Sequence, residues 1–228
     1  MSVARRAVSE GIGTALLLAA IVGSGIMGER LAPGSLGLVL LANSAATGAA
    51  LVALIFAFGD ISGAHFNPVV TLAQALRGAT SWRDAAAYLP SQFVGAFAGV
   101  LCAHAMFGEA WATASTHARA GAAQAFSEGV ATFGLLAVIF GCSRRQPGAA
   151  AIAVGAYIAA AYWFTASTSF ANPAVTLARA ATNTFAGIRP DDVPPFVAAQ
   201  LVGGALATAL FAWLLPPHAE PSARRSAS

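Results

Sequence analysis

The sequence predicts an all-α membrane protein with six transmembrane helices and two helices that cross half of the membrane. Hydrophobic residues make up 57% of its 228 residues and charged residues only 9%, and its mean hydropathy is +0.70. These values are typical of integral membrane proteins, in which long apolar segments alternate with brief polar loops. At about twenty residues per span, the length fits six full spans and two half-spans.

Two nearly identical stretches predict the half-spans. One begins Asn67-Pro68-Val69 and the other begins Asn172-Pro173-Ala174. Asn is a favoured N-cap, and Pro suits the first helical position because its missing N–H would have no partner there. The first apolar helix runs for about ten residues to Arg77-Gly78, which is about 15 Å or half of the hydrocarbon core.

Six apolar segments supply the full spans. The first follows Arg5-Arg6 as in a signal peptide, but Glu10 interrupts it and no clean cleavage pattern follows, so we assign it as a span. The segments run from about Gly11 to Met27, Leu36 to Phe58, Trp82 to Met106, Ala123 to Cys142, Ala149 to Phe164 and Val193 to Leu215.

The second half of the chain repeats features of the first half. Ser127-Glu128-Gly129 matches Ser9-Glu10-Gly11, and Gln200 with Gly203 matches Gln92 with Gly95. We therefore predict one transmembrane domain, 1–228, made of two repeats at about 1–110 and about 120–228. Because each repeat holds three full spans, an odd number, the second repeat enters the membrane from the opposite face.

The arginines predict the orientation in the membrane. The larger group is expected on the cytoplasmic side, together with both termini. The larger group contains Arg5, Arg6, Arg77, Arg83, Arg144, Arg145, Arg224 and Arg225. The smaller group, on the other side of the membrane, contains Arg30, Arg119, Arg179 and Arg189.

The motifs resemble those of the aquaporin and glycerol-facilitator family of major intrinsic proteins. The resemblance rests on the segment from Ser62 to Thr71, on the second Asn-Pro-Ala and on one Glu in each of spans one and four. It covers almost the whole chain, with Val69 in place of the usual Ala. It implies an aquaporin-like bundle without a cofactor, a homotetramer with one pore per protomer, and a place in the lipid of a bacterial inner membrane.

The residues of the two motifs have predicted roles in a pore. Asn67 and Asn172 each have an amide donor for a passing oxygen, unless both serve only as helix caps. Glu10 and Glu128 are interpreted as braces that accept backbone donors of the half-helix loops, with proton relay as the alternative. His65 is expected to line the pore, although it could also be a buried, packed histidine.

The resemblance also transfers a selectivity filter by spacing, and this is the clearest departure from the family. Water-selective members carry Arg at the position of Val175, and the other filter positions fall on Thr47, Ala160 and Ser169. With neither an aromatic ring nor Arg there, we expect a wide filter that passes glycerol, urea or metalloid acids such as arsenous acid, with or without water. The alternative is that Arg179 or Arg189 folds into the mouth and narrows it.

Other function classes find little support in the sequence. No nucleophile motif, phosphate-binding glycine loop or His and Cys spacing predicts an enzyme or a metal site. The net charge of +3 comes from dispersed arginines and does not predict nucleic-acid binding. A passive channel is therefore favoured over a coupled secondary transporter and over a structural or adhesion protein, because the Asn-Pro motifs place neutral amides at mid-membrane depth.

Overall fold

The computed structural model describes residues 1–145 and 147–215, and this part of the chain is a bundle of eight α-helices. Arg224, Arg225 and the end of the predicted domain therefore lie outside the described residues. The helices are α1 (Val3–Leu31), α2 (Leu36–Ser62), α3 (Pro68–Leu76), α4 (Trp82–Phe107), α5 (Ala122–Arg145), α6 (Ala150–Phe164), α7 (Pro173–Ala178) and α8 (Val193–Leu214).

The order of long and short helices is the same in the two halves of the chain. In each half two long helices come first, a short helix follows, and a third long helix ends the unit. We call the side on which α1 begins the terminal face and the side on which α1 ends the loop face. Helix α3 runs from the middle of the bundle to the terminal face, and α7 runs from the middle to the loop face.

Among the described residues, five helices are long and apolar enough to cross a membrane, and α6 is a shorter apolar helix of 15 residues. Large apolar side chains cover the outside of the bundle, such as Phe56, Val94 and Trp213, which are 57%, 71% and 76% exposed. Such an apolar surface is suited to contact with lipid chains. The predicted fold class, an all-α membrane bundle, is confirmed.

The helix bounds differ from the predicted spans at several ends. Helix α1 begins at Val3, with the Ser2 hydroxyl accepting a hydrogen bond from the Arg5 N–H at 3.4 Å, so the helix is longer than its apolar segment. Helix α2 continues to Ser62 and ends at Gly63, whose φ of 90° lies in the left-handed region that favours glycine. Hydropathy marks the apolar part of a helix, whereas its ends depend on capping.

Glycines allow several close helix crossings in the described part of the bundle, and one of these crossings recurs in both halves of the chain. A Cβ at Gly95 on α4 would collide with the carbonyl oxygen of Gly11 on α1. In the second half, a Cβ at Gly203 on α8 would collide with the carbonyl oxygen of Gly129 on α5. Small residues at such positions let membrane helices pack backbone to backbone.

The long loop 108–121 covers part of the loop face. Its backbone pairs with the 3₁₀ turn Arg179–Ala181 that follows α7, where Thr113 N donates to Ala181 O at 3.1 Å and Ser115 N donates to Ala180 O at 3.0 Å. The Arg119 guanidinium fixes the loop further, through bonds described below. Backbone hydrogen bonds of this kind leave no signal in a sequence, so this attachment was not predicted.

Candidate functional site

Both short helices begin at the centre of the bundle with an Asn cap. The Asn67 side-chain oxygen accepts the Val69 N–H at 2.9 Å. The Asn172 side-chain oxygen accepts the N–H groups of Ala174 at 3.0 Å and Val175 at 3.2 Å. The two helix N-termini, each the positive end of a helix dipole, therefore lie close to one another in the middle of the protein.

The two Asn side chains also bind the opposite half of the chain. Asn67 Nδ2 donates to Ala171 O and Asn172 Nδ2 donates to Phe66 O, both at 2.8 Å. These two bonds were not predicted, because backbone carbonyls leave no signal in a sequence. Each amide group has two hydrogens, so one hydrogen on each Asn remains for another acceptor.

Glu10 and Glu128 hold the loops that lead into the short helices. Glu10 Oε1 accepts the His65 N–H at 3.0 Å, and its Oε2 accepts the Phe66 N–H at 2.6 Å. Glu128 does the same in the second half, where Phe170 N and Ala171 N each donate at 2.8 Å. Both carboxylates are completely buried, so these charge-assisted bonds compensate for the loss of hydration.

The loops need such support because their backbone is strained. Positive φ angles occur at Ala64 (50°) and Phe66 (48°) in the first loop, and at Ser169 (52°) and Ala171 (49°) in the second. A non-glycine residue in this region costs energy and persists only where its surroundings hold it. The carboxylates supply acceptors for the N–H groups that these turns leave unpaired.

The two repeated glutamines link each carboxylate to its short helix. Gln92 Nε2 donates to Glu10 Oε2 at 2.9 Å and to the Thr71 hydroxyl of α3 at 2.8 Å. Gln200 Nε2 donates to Glu128 Oε2 at 2.6 Å and to the Thr176 hydroxyl of α7 at 2.8 Å. The repetition of Gln was visible in the sequence, but these partners were not.

A cavity of about 140 Å³ passes the two Asn caps. A water molecule occupies about 30 Å³ in the liquid, so the cavity has room for several waters or for a larger solute. The predicted site residues that line it are Thr47, His65, Asn67, Ser169, Asn172 and Val175.

The filter position at Ala160 is wrong. Ala160 lies on the exposed side of α6, and Tyr162, two residues further on, lines the cavity instead. The Tyr162 hydroxyl is 3.2 Å from the Thr47 hydroxyl, so the wall between α2 and α6 is polar at this level. The position was counted without gaps across the irregular segment 165–172, where residue counts do not follow helical geometry.

The cavity wall includes an arginine, although position 175 itself holds valine. Arg179 follows Val175 by one helical turn, lines the cavity and is 2% exposed. Arg189 lies elsewhere, because its guanidinium pairs with Asp192 at 2.8 Å and its side chain is 42% exposed. Of the two arginines in the alternative interpretation, Arg179 is the one that reaches the cavity.

Arg119 lies near Arg179, and its guanidinium nitrogens donate hydrogen bonds to oxygen atoms of the protein. Its Nε donates to Gly187 O at 2.8 Å, its Nη1 to Thr168 Oγ1 at 3.2 Å and its Nη2 to Phe185 O at 3.2 Å. Burial lowers the pKa of the Arg119 guanidinium below its ordinary value. Arg119 therefore fastens the loop 108–121 to the segments around α7.

His65 lines the cavity on the side of the terminal face. It is half-buried, and its Nδ1 is 3.1 Å from the Thr71 hydroxyl. Its ring also meets the Tyr88 ring edge to face, with 5.6 Å between the centroids. His65 thus combines the two predicted environments, since one side packs against Tyr88 while the residue contributes to the cavity wall.

The third residue of each motif faces the protein interior, and its size is matched by a neighbour. Val69 packs into a core cluster, where a Cβ at Gly204 on α8 would collide with its Cγ1. In the other half, Ala174 shares a core cluster with Ala96, which is the residue that corresponds to Gly204. The larger Val69 is therefore accommodated by the smaller Gly204.

Comparison with known proteins identifies the family. The chain matches the family described as "Major intrinsic protein" over residues 1–149 and 143–227. It belongs to the major intrinsic protein family. This major intrinsic protein is 54% identical over 222 residues to aquaglyceroporin AqpS of Rhizobium meliloti strain 1021, a match that covers 97% of this chain and 94% of AqpS.

More distant relatives match shorter parts of this major intrinsic protein. Aquaglyceroporin-3 of Trypanosoma brucei brucei is 33% identical over 98 residues, which is 43% of this chain and 31% of that protein. Aquaporin-9 of Homo sapiens is 36% identical over 99 residues, which is 43% of this chain and 32% of that protein. The family and the apolar helices together make the protein an integral membrane protein.

Proposed function

We propose that this protein is a passive channel, and not an enzyme, for water and small neutral solutes such as glycerol, urea and arsenous acid. The observation that carries the proposal is the cavity that passes both Asn caps. Each Asn keeps one amide hydrogen where two helix N-termini meet, and these donors orient the oxygen of a passing solute. The positive dipole ends disfavour cations at the same point.

The width of the channel follows from the residue at position 175. Val175 lines the cavity, so no guanidinium lies at that position, and Thr47, Tyr162 and Ser169 complete the proposed filter. Valine has neither charge nor a long side chain, which favours solutes larger than water. The names of AqpS and of the trypanosome relative, both aquaglyceroporins, support the inclusion of glycerol.

A coupled transporter is the less favoured alternative. Its ion-coupling residues would be ionisable groups buried in the membrane, and Glu10 and Glu128 are the candidates. Within the described residues, however, all four of their carboxylate oxygens accept hydrogen bonds from loop N–H groups or from Gln side chains. This saturation favours the role of braces.

The proposed assembly is a homotetramer in the bacterial inner membrane, in contact with lipid, with both termini in the cytoplasm. We further propose that the halves at about 1–110 and about 120–228 are inverted repeats of one channel domain. Matching Asn, Glu and Gln bonds in the two halves support that relation.

A stopped-flow experiment tests the function. Vesicles that contain the purified protein are mixed rapidly with a solution that creates an osmotic gradient, for water, or a concentration gradient of glycerol, urea or arsenous acid. Each measurement is made with and without an ion gradient. We expect flux above that of empty vesicles, and we expect it to be indifferent to ion gradients. Flux that requires a proton or sodium gradient would favour the transporter, and absence of any flux would refute the channel.

A further inference from the structure

Arg179 holds its guanidinium in one orientation at the loop-face end of the cavity. Its Nε donates to the Ala186 carbonyl oxygen, and its central carbon lies 3.4 Å from the centroid of the Phe170 ring. A backbone hydrogen bond and a cation–π contact together fix the plane of the group. The side chain is 2% exposed, so what it meets is protein and the contents of the cavity.

Two polar atoms at this end of the cavity are without a hydrogen-bond partner in the described part of the chain. They are Nη1 of Arg179 and the hydroxyl oxygen of Ser169, and both residues line the cavity. A buried donor without an acceptor is costly, and most of all when it carries a charge. Arg119, which also lies over the Phe170 ring, shows the contrast, because its nitrogens are bonded to protein oxygens.

The charge at this end of the cavity is unbalanced. Among residues 1–145 and 147–215, neither Arg119 nor Arg179 forms a salt bridge with a carboxylate. Glu128 attracts Arg179, but its oxygens accept from Phe170, Ala171 and Gln200. The Arg179 guanidinium therefore attracts a solute that offers oxygen acceptors. A solute that offers mainly N–H donors finds no acceptor in this guanidinium.

We propose that Arg179, with Ser169, forms a solute subsite that recognises the oxygen atoms of small polyhydroxylated molecules. Arg179 is then a specificity-determining residue that supplies, one turn further out, the cation that position 175 lacks. A polyol can accept from the guanidinium and bond the Ser169 hydroxyl at once. Urea has one acceptor oxygen and four N–H donors, so it matches the subsite less well. The inference rests on the proposed channel function and deepens it.

The test is the ratio of glycerol to urea permeability in proteoliposomes, measured for the wild type and for Arg179→Met. Methionine fills a similar volume against Phe170 and removes the donors and the charge. We expect the ratio to fall about tenfold, which corresponds to about 1.4 kcal/mol. A ratio of two solutes does not depend on how much protein is folded, so a purely structural role would leave it unchanged.

Arg189→Met is the matched control. Arg189 lies outside the cavity lining, where its half-exposed side chain pairs with the buried Asp192, so its removal should leave the ratio as it is in the wild type. Arg179→Lys is the second variant, should the Met variant fail to fold. Lysine keeps the charge but has no planar fork of donors, so the ratio should fall by a smaller factor.

The outcomes separate the two proposals. An unchanged ratio in a conducting Arg179→Met channel, or in Arg179→Lys if only that variant folds, overturns the subsite and leaves the channel function standing. The same holds if Arg189→Met changes the ratio as much as Arg179→Met. Absence of any flux through the wild type overturns the channel function and the subsite with it.

Discussion

Replacing Glu128 by Gln tests whether this carboxylate is a brace. Its Oε2 accepts two hydrogen bonds, from Ala171 N at 2.8 Å and Gln200 Nε2 at 2.6 Å, and its Oε1 accepts one, from Phe170 N at 2.8 Å. Glutamine has one oxygen and one NH₂ group. Its best orientation keeps the oxygen between Ala171 and Gln200 and turns the NH₂ group toward the Phe170 N–H.

The cost of this change can be worked out from the three bonds. One bond to a charged acceptor, worth about 1.5–3 kcal/mol, is lost, and the other two weaken by about 1 kcal/mol each as the charge disappears. The free energy of unfolding should therefore fall by roughly 3.5–5 kcal/mol. For a chain of this size, that corresponds to a fall of roughly 10 °C in the unfolding midpoint.

The measurement is thermal unfolding of the purified protein in one detergent at one scan rate, because such unfolding is often irreversible. Glu109→Gln is the control, since Glu109 forms an exposed salt bridge with Arg30 and its loss should cost less than about 1 kcal/mol. Solute flux of Glu128→Gln should fall along with its stability. The brace interpretation is refuted if the variant keeps its midpoint, or if it folds normally and loses a proton-dependent flux.

Three further changes test the core and the pore. Gly204→Ala should destabilise the protein by about 1–3 kcal/mol through overpacking against Val69, and Val69→Ala should restore it; additive losses in the double-mutant cycle of melting would contradict the contact. Asn172→Ala should lower water flux per folded protein in stopped-flow assays, and an unchanged flux in the double variant with Asn67→Ala would show that neither amide assists permeation. Val175→Arg should suppress glycerol flux and spare water, so glycerol flux that survives this substitution would contradict the wide filter.

The sequence predicts the central part of this fold because the signals there are local. Asn followed by Pro caps a helix whatever surrounds it, and both short helices begin where these pairs predict. The two Glu residues could be assigned as braces because a charge inside an apolar span needs partners. The partners themselves, such as the N–H groups of Phe66 and Ala171, became known only from the folded loops.

The outer end of the cavity is harder to predict because it depends on irregular backbone. The segment that precedes Asn172 has positive φ at Thr168, Ser169 and Ala171, so counting back through it does not reach the cavity wall. Tyr162 was missed for this reason. Arg179 was one of the two arginines in the alternative prediction, and its place four residues after Val175 distinguishes it from Arg189, because a helix brings such positions to one face.

The bonds between Asn67 and Ala171 and between Asn172 and Phe66 join residues 104 and 106 positions apart. A ribosome that adds about 5–20 residues per second needs about 5–20 s to make the chain between the first pair. During that time the Asn67 amide has no Ala171 to bind, and the first short helix has no counterpart. We therefore expect the cavity between the two halves to form only after the second half is inserted. During this interval the nascent chain has no continuous path across the membrane.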